Sequence, residues 1–160
     1  MELSLSLKKL KEKFSDSIID MHAFRGDDTA IVKKEDILKI NKFLRDDEEL
    51  LYNFMIDLTA VDYLGREPRF EVVYHLYSLK YNRRLRIKAR IPESDCTIDS
   101  CVSVWIAADW FEREAYDLYG VIFTGHPNLK RILMYQGFEG HPLRKDYPVK
   151  GRQPLIGPKN

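Results

Sequence analysis

The stretch Arg84 to Ile91 constrains the fold most. Leu85, Ile87, Ala89 and Ile91 alternate without a break with Arg84, Arg86, Lys88 and Arg90. Successive side chains of a strand point to opposite faces, so this strand has one apolar and one charged face. A strand buried on both faces of a parallel sheet would read as a continuous apolar run instead. The expected fold is therefore α/β in content and α+β in class: a mostly antiparallel sheet packed by helices on one face and wet on the other. Phe70 to Leu79, dense in Val, Tyr and Leu, forms the neighbouring strand, with Lys80-Tyr81-Asn82-Arg83 as the hairpin turn. Pro92 has no N–H for a ladder and ends the pair.

The remaining elements follow from periodicity. Leu3, Leu7, Leu10 and Phe14 recur at helical spacing, with Lys8, Lys9, Lys11 and Glu12 between them. Ser17 to Phe24 and Thr29 to Val32 read as short strands joined at Gly26-Asp27-Asp28. A second helix carries Ile37, Ile40, Phe43 and Leu44 on one face and ends in Asp46-Asp47-Glu48-Glu49. Tyr52 to Tyr63 is strand-like and is broken by Leu64-Gly65-Arg66-Glu67-Pro68. Ser100 is placed to cap a short helix carrying Val104, Trp105 and Ala108. A further helix runs from Asp109 to Gly120. Asp109 is read as its N-cap, Glu112 as the partner in a capping box, and Gly120 as the left-handed residue that ends it.

Charge divides the chain in two. Residues 124–160 hold 7 basic residues against the acids Glu139 and Asp146, a net +5 inside a chain of net +1. The same segment has five of the 8 glycines and five of the 7 prolines. So little apolar material among so many turn-formers cannot build a core of its own. Yet Leu129, Ile132, Leu133, Met134, Tyr135 and Phe138 cluster there. The expected organisation is a globular domain over residues 1–123 and an extended basic arm over 124–160 that lies on something else. No apolar run is long enough to span a membrane, and the N-terminus carries Glu2, Lys8 and Lys9 where a signal peptide would be apolar. Two cysteines, Cys96 and Cys101, are too few for a disulfide framework or a four-thiolate metal site.

Two chemical readings compete with plain packing. Arg84, Arg86, Lys88 and Arg90, with Tyr74 and Tyr77 alongside, could stack and hold RNA. A solvated sheet face partly neutralised by cross-strand acids such as Glu71 explains the same residues, and the globular part is acidic overall. Glu112, Glu114, Asp117, His126 and His141 are the right types for a metal or acid–base site. Glu112 and Glu114 are two apart and diverge on a helix, and each histidine sits in a Gly-His-Pro turn. Neither catalytic residues nor a metal or cofactor site is therefore assigned. Ion pairing remains for this helix. Arg113 and Asp117 stand at i, i+4, while Glu114 and Asp117 would repel without a cation such as Arg131, Arg144 or Lys145 from the arm.

The sequence Glu112-Arg113-Glu114-Ala115-Tyr116-Asp117-Leu118-Tyr119-Gly120, followed by Gly125, His126 and Lys130-Arg131-Ile132-Leu133, closely resembles the signature of the C subunit of NADH:quinone oxidoreductase, respiratory complex I. Gly140-His141-Pro142-Leu143-Arg144-Lys145-Asp146-Tyr147-Pro148 resembles the family's second hallmark. The resemblance is dense over residues 109–148 and thin in the first half. It implies a subunit without a cofactor of its own, in the hydrophilic arm on the cytoplasmic side of the plasma membrane. Its implied partners are the large subunit that forms much of the quinone pocket and the subunits that hold iron–sulfur clusters. NADH, FMN, the clusters and quinone belong to the implied complex rather than to this chain. Similar subunits occur in membrane-bound hydrogenases and related complexes. The short tail after Pro148 resembles the unfused bacterial form.

Overall fold

The computed structural model describes residues 3–150. Helix α1 (Leu5–Phe14) starts at Ser4, whose hydroxyl accepts the Leu7 N–H at 3.3 Å, and it buries Leu7 and Leu10. Strands β1 (Ile18–Phe24) and β2 (Asp27–Val32) form a hairpin in which Phe24 faces Asp27. The turn is thus Arg25-Gly26 alone, with φ of 53° and 87°. Two consecutive positive φ values give the twist that matches the strands. The turn expected at Gly26-Asp27-Asp28 runs too far along the chain, since Asp27 and Asp28 already pair. Helix α2 (Ile37–Asp46) buries Ile37, Ile40 and Leu44.

Strands β3 (Phe54–Asp62), β4 (Phe70–Ser78) and β5 (Arg83–Ile91) complete a five-stranded sheet in the order β1-β2-β5-β4-β3. Every pairing is antiparallel except β2 with β5, which is parallel. Leu85, Ile87, Ala89 and Ile91 enter the core with Val72, Tyr74, Leu58 and Ala60, beneath Leu10, Ile40 and Ala115 from the three helices. The opposite face carries the four cations. Lys88 Nζ lies 2.8 Å from Glu71, Arg90 Nε lies 3.8 Å from the same carboxylate, and Arg86 donates to the Thr29 hydroxyl at 3.2 Å. That is the one-sided sheet expected from the alternation.

Two strands escaped the sequence reading. Strand β6 (Thr97–Asp99) and strand β7 (Ile122–Thr124) pair in parallel across the base of helix α3 (Ala108–Tyr119). The short helix expected under Ser100 is a series of turns, and Ala108 already belongs to α3. The capping box is also corrected. The N-cap is Ala107, without a side-chain cap, and Asp109 sits inside the first turn, where its carboxylate complements the helix dipole. Glu112 instead turns into the core, fully buried. Gly120 ends the helix as expected, with φ of 78° and its N–H on the Tyr116 carbonyl at 2.9 Å. Residues 125–150 have neither helix nor strand, and 151–160, the end of the expected arm, lie outside the described residues. Among the described residues no helix is long and apolar enough to cross a membrane.

Candidate functional site

The segment after β7 lies along α3 from its first turn to its last. His126 anchors the start. Its side chain is fully buried, and Nδ1 accepts the Asn128 N–H at 2.9 Å, so Nε2 carries the proton and donates to the Asp109 carbonyl at 3.2 Å. One turn on, Arg113 lies over the Trp110 ring and donates to the carbonyls of Lys130 at 3.2 Å and Arg131 at 3.4 Å. Its acidic neighbour is Asp109, 4.0 Å away, not the Asp117 expected from the i, i+4 spacing.

Asp117 is committed elsewhere. Its carboxylate is fully buried, and Oδ2 accepts three successive backbone N–H groups, from Ile132 at 3.0 Å, Leu133 at 2.8 Å and Met134 at 2.9 Å. Oδ1 accepts Arg131 Nη1 at 2.9 Å, and Arg131 Nη2 goes on to the Gly140 carbonyl at 2.9 Å. Convergent amides of this kind form a nest for an anion. Burial alone would raise the carboxyl pKa, but the three amides and Arg131 outweigh it and hold it below the usual aspartate value. The cation needed to prevent repulsion on this helix is therefore Arg131. Glu114 points to solvent and has no ion pair among the described residues.

The last carbonyls of a helix have no partner within it. Here the segment supplies them. His141 Nδ1 donates to the Asp117 carbonyl at 2.9 Å, the Leu143 N–H to Leu118 at 3.1 Å, and Arg144 Nε to Tyr119 at 2.6 Å. Burial holds the His141 pKa below its ordinary value, so the ring is neutral at pH 7. This closeness gives Gly120 a second reason to be glycine. A Cβ there would lie 2.6 Å from His141 Nε2 and 2.7 Å from Arg144 Nη2.

A second clamp was not anticipated. Arg69, just before β4, is nearly buried and donates hydrogen bonds from all three nitrogens of its guanidinium. Nε and Nη2 hold Asp62 at 2.9 and 2.8 Å, Nη1 holds Glu93 at 2.7 Å, and both Nη atoms hold Asp146, at 3.0 and 2.9 Å. Asp62 also accepts the Lys145 N–H at 2.8 Å. The guanidinium groups of Arg69 and Arg144 both lie against the Phe70 ring, at 4.9 and 5.0 Å. Bonding to Arg69, above all, depresses the Asp62 carboxyl pKa. Three carboxylates converge here, but on an arginine; among the described residues no cluster of His, Cys, Asp or Glu is placed to hold a metal.

The outward side of the segment is different. Tyr147 stacks on Phe138 at 6.0 Å and covers Gly140, where a Cβ would meet the ring at 3.0 Å. Ile132 and Pro142 are half-buried, Pro148 is exposed, and Leu133 and Leu143 are 56% and 47% exposed. The result is a strap with polar anchors inside and apolar side chains outside.

The family model for the 30 kDa subunit of respiratory-chain NADH dehydrogenase matches residues 30–153, which takes in β3, β4, β5, α3 and the strap but not β1. The chain belongs to that family. The C subunit of NADH-quinone oxidoreductase from Geotalea uraniireducens is 56% identical over 151 residues, covering 93% of this chain and 91% of the relative. Among solved structures, a trypsin-resistant fragment of Nqo5, residues 1-134, superposes with a TM-score of 0.66 at 28% identity, covering 78% of this chain and all of the fragment. A chain of the membrane-bound sulfane sulfur reductase, an archaeal respiratory membrane complex, gives 0.73 at 28% identity, covering 90% of this chain and 84% of the other. As a 30 kDa family member the chain is a subunit of NADH-quinone oxidoreductase. Both stretches that carried the resemblance, residues 112–133 and 140–148, meet at α3. Arg69, Asp62 and Glu93 carried no signal, because their partners lie up to 77 or 83 positions away in sequence.

Proposed function

We propose that this chain is a cofactor-free structural subunit of the hydrophilic arm of a proton-translocating NADH:quinone oxidoreductase, whose segment 124–160 docks on the large quinone-site subunit. The observation that carries this reading is the two-sided strap. Asp117, Arg69 and the α3 carbonyls hold its inner side, while Leu133 and Leu143 leave about half of their surface exposed on the outer side. Trp and Arg are frequent anchors of protein interfaces, and the exposed Trp110 with Arg113 over its ring lies beside the strap. The trypsin-resistant fragment of Nqo5 supports a division between a folded domain and a tail. The Thr124 carbonyl accepts the Ser100 N–H at 2.9 Å, which supports a boundary at the end of β7, close to the one expected after Phe123. NADH, FMN, iron–sulfur clusters and quinone are then held by neighbouring subunits, and the chain reaches the cytoplasmic face of the membrane only through them.

The likeness to the sulfane sulfur reductase chain favours a second reading, an equivalent subunit of a related membrane-bound complex. Affinity capture of the tagged chain from its native cells separates the two. NADH-oxidising, FMN-containing subunits in the captured complex support the first. Hydrogen- or sulfur-metabolising subunits without them support the second, and capture of RNA alone would overturn both.

A further inference from the structure

Glu112 is not explained by docking. Its side chain is wholly buried in a helix that faces the sheet, and among the described residues no cation pairs with it. Its contacts are few. Oε1 accepts the Cys101 N–H at 2.6 Å, and Oε2 lies 2.6 Å from the Ser100 hydroxyl. The groups around it offer no positive charge. From its own helix comes Asp109, from the segment before α3 the Cys101 thiol, from β4 the Tyr74 phenol, on which Asp99 of β6 also acts, and from α2 the neutral amide of Asn41, which donates to Cys101 Sγ at 3.2 Å. Among the described residues the Tyr74 hydroxyl and Asn41 Oδ1 have no hydrogen-bond partner of their own. A buried carboxylate without a cation ordinarily takes up a proton instead.

We propose that Glu112 is a proton-binding site at the centre of the fold, and that its ionisation loosens the hold of α3 on residues 99–107. Ser100 makes both states possible. Toward a carboxylate its hydroxyl donates; toward a carboxylic acid it accepts the Oε2 proton and turns its own hydrogen away. The Cys101 amide donates to Oε1 in either state. Glu112 is wholly buried, so its proton is exchanged with solvent only when the segment opens.

Burial is the main cause that pushes the Glu112 pKa up to about 7, against the two hydrogen bonds that lower it. A carboxyl raised in the folded state contributes most below its unfolded value of 4.5, and that contribution is lost as pH rises toward about 7. The loosened segment is the one that carries Ile106, 86% exposed, and Trp105, whose indole N–H holds the Tyr52 carbonyl at 3.1 Å. Ionisation at the core is thereby transmitted to a surface loop.

Infrared spectroscopy of the full chain tests this, with Glu112→Gln as the neutral isostere. Wild type shows a buried protonated-carboxyl band at about pH 5.5 that disappears by about pH 8.5, and Glu112→Gln lacks it at both. Over the same range the protection of the Cys101 amide against exchange falls by about tenfold in wild type and stays constant in Glu112→Gln. Should Glu112→Gln not fold, Ser100→Ala serves, because losing the hydroxyl donor moves the band's midpoint to higher pH. A band absent at the lower pH, unchanged at the higher one, or unmoved by Ser100→Ala overturns the proposal.

Discussion

Replacing Arg69 by alanine removes the centre of a junction of three carboxylates. The Arg69 side chain is 4% exposed and its guanidinium holds Asp62, Glu93 and Asp146. Asp62 is the critical neighbour, because its side chain is fully buried. Without Arg69 it keeps the Lys145 N–H and only the more distant charge of Arg144. Stranding one member of a buried pair costs roughly 3–5 kcal/mol. Glu93 and Asp146 are about half exposed, so water screens them and they add little. Against a total stability of roughly 5–15 kcal/mol this is a severe loss, equivalent to a Tm drop of about 6–20 °C at this chain length. Urea unfolding followed by circular dichroism measures it, with Arg86→Ala as the control from the wet sheet face, where the expected loss is about 0.5 kcal/mol or less. The double variant Asp62→Asn/Arg69→Met should lose less than the two single variants summed, since no buried charge is left behind. A loss below about 1 kcal/mol for Arg69→Ala would show that water reaches Asp62 and refute the reasoning.

Three further outcomes follow from the same geometry. Asp117→Asn places an amide N–H against either the three strap amides or Arg131, so proteolysis at Lys130 or Arg131 should quicken about tenfold or more in the variant. Gly120→Ala combines a left-handed φ with a clash against His141 and Arg144, and should cost about 1–2 kcal/mol in denaturant unfolding. Asp62, Asp117 and Asp146 all have lowered pKa values, so their contribution is present above the unfolded value of 3.8 and is lost as pH falls through the folded values. The acid limb of stability against pH should therefore lie below about pH 4 and become shallower in Asp117→Asn.

What the sequence revealed and what it hid divide along contact distance. The alternation of Leu85 to Ile91 against Arg84 to Arg90, the spacing of Leu7 and Leu10, and the stop at Gly120 are local signals, and each recurs in the structure. The parallel pairing of β2 with β5 joins strands more than fifty positions apart, and nothing in either strand specifies its neighbour. Strands β6 and β7 are three residues each, too short for a period to show. Asp109 and Glu112 fit a capping box because the pattern cannot tell a first-turn acid from a cap. Burial decided the matter, by drawing Glu112 to Ser100 and Cys101. Asp117 was legible as an acid needing a cation, but not as the acceptor of three amides. The amides have no side-chain signature.

The central claim is that the strap joins this subunit to its complex. Co-expressing the large quinone-site subunit with either the full chain or a chain ending at Thr124, and measuring how much large subunit is captured, tests it directly. Circular dichroism of the shortened chain first establishes that its sheet and helices persist. The full chain should capture the large subunit in equal amount, and the folded shortened chain should capture little. Equal capture by both would contradict the account and place the docking surface on the globular domain.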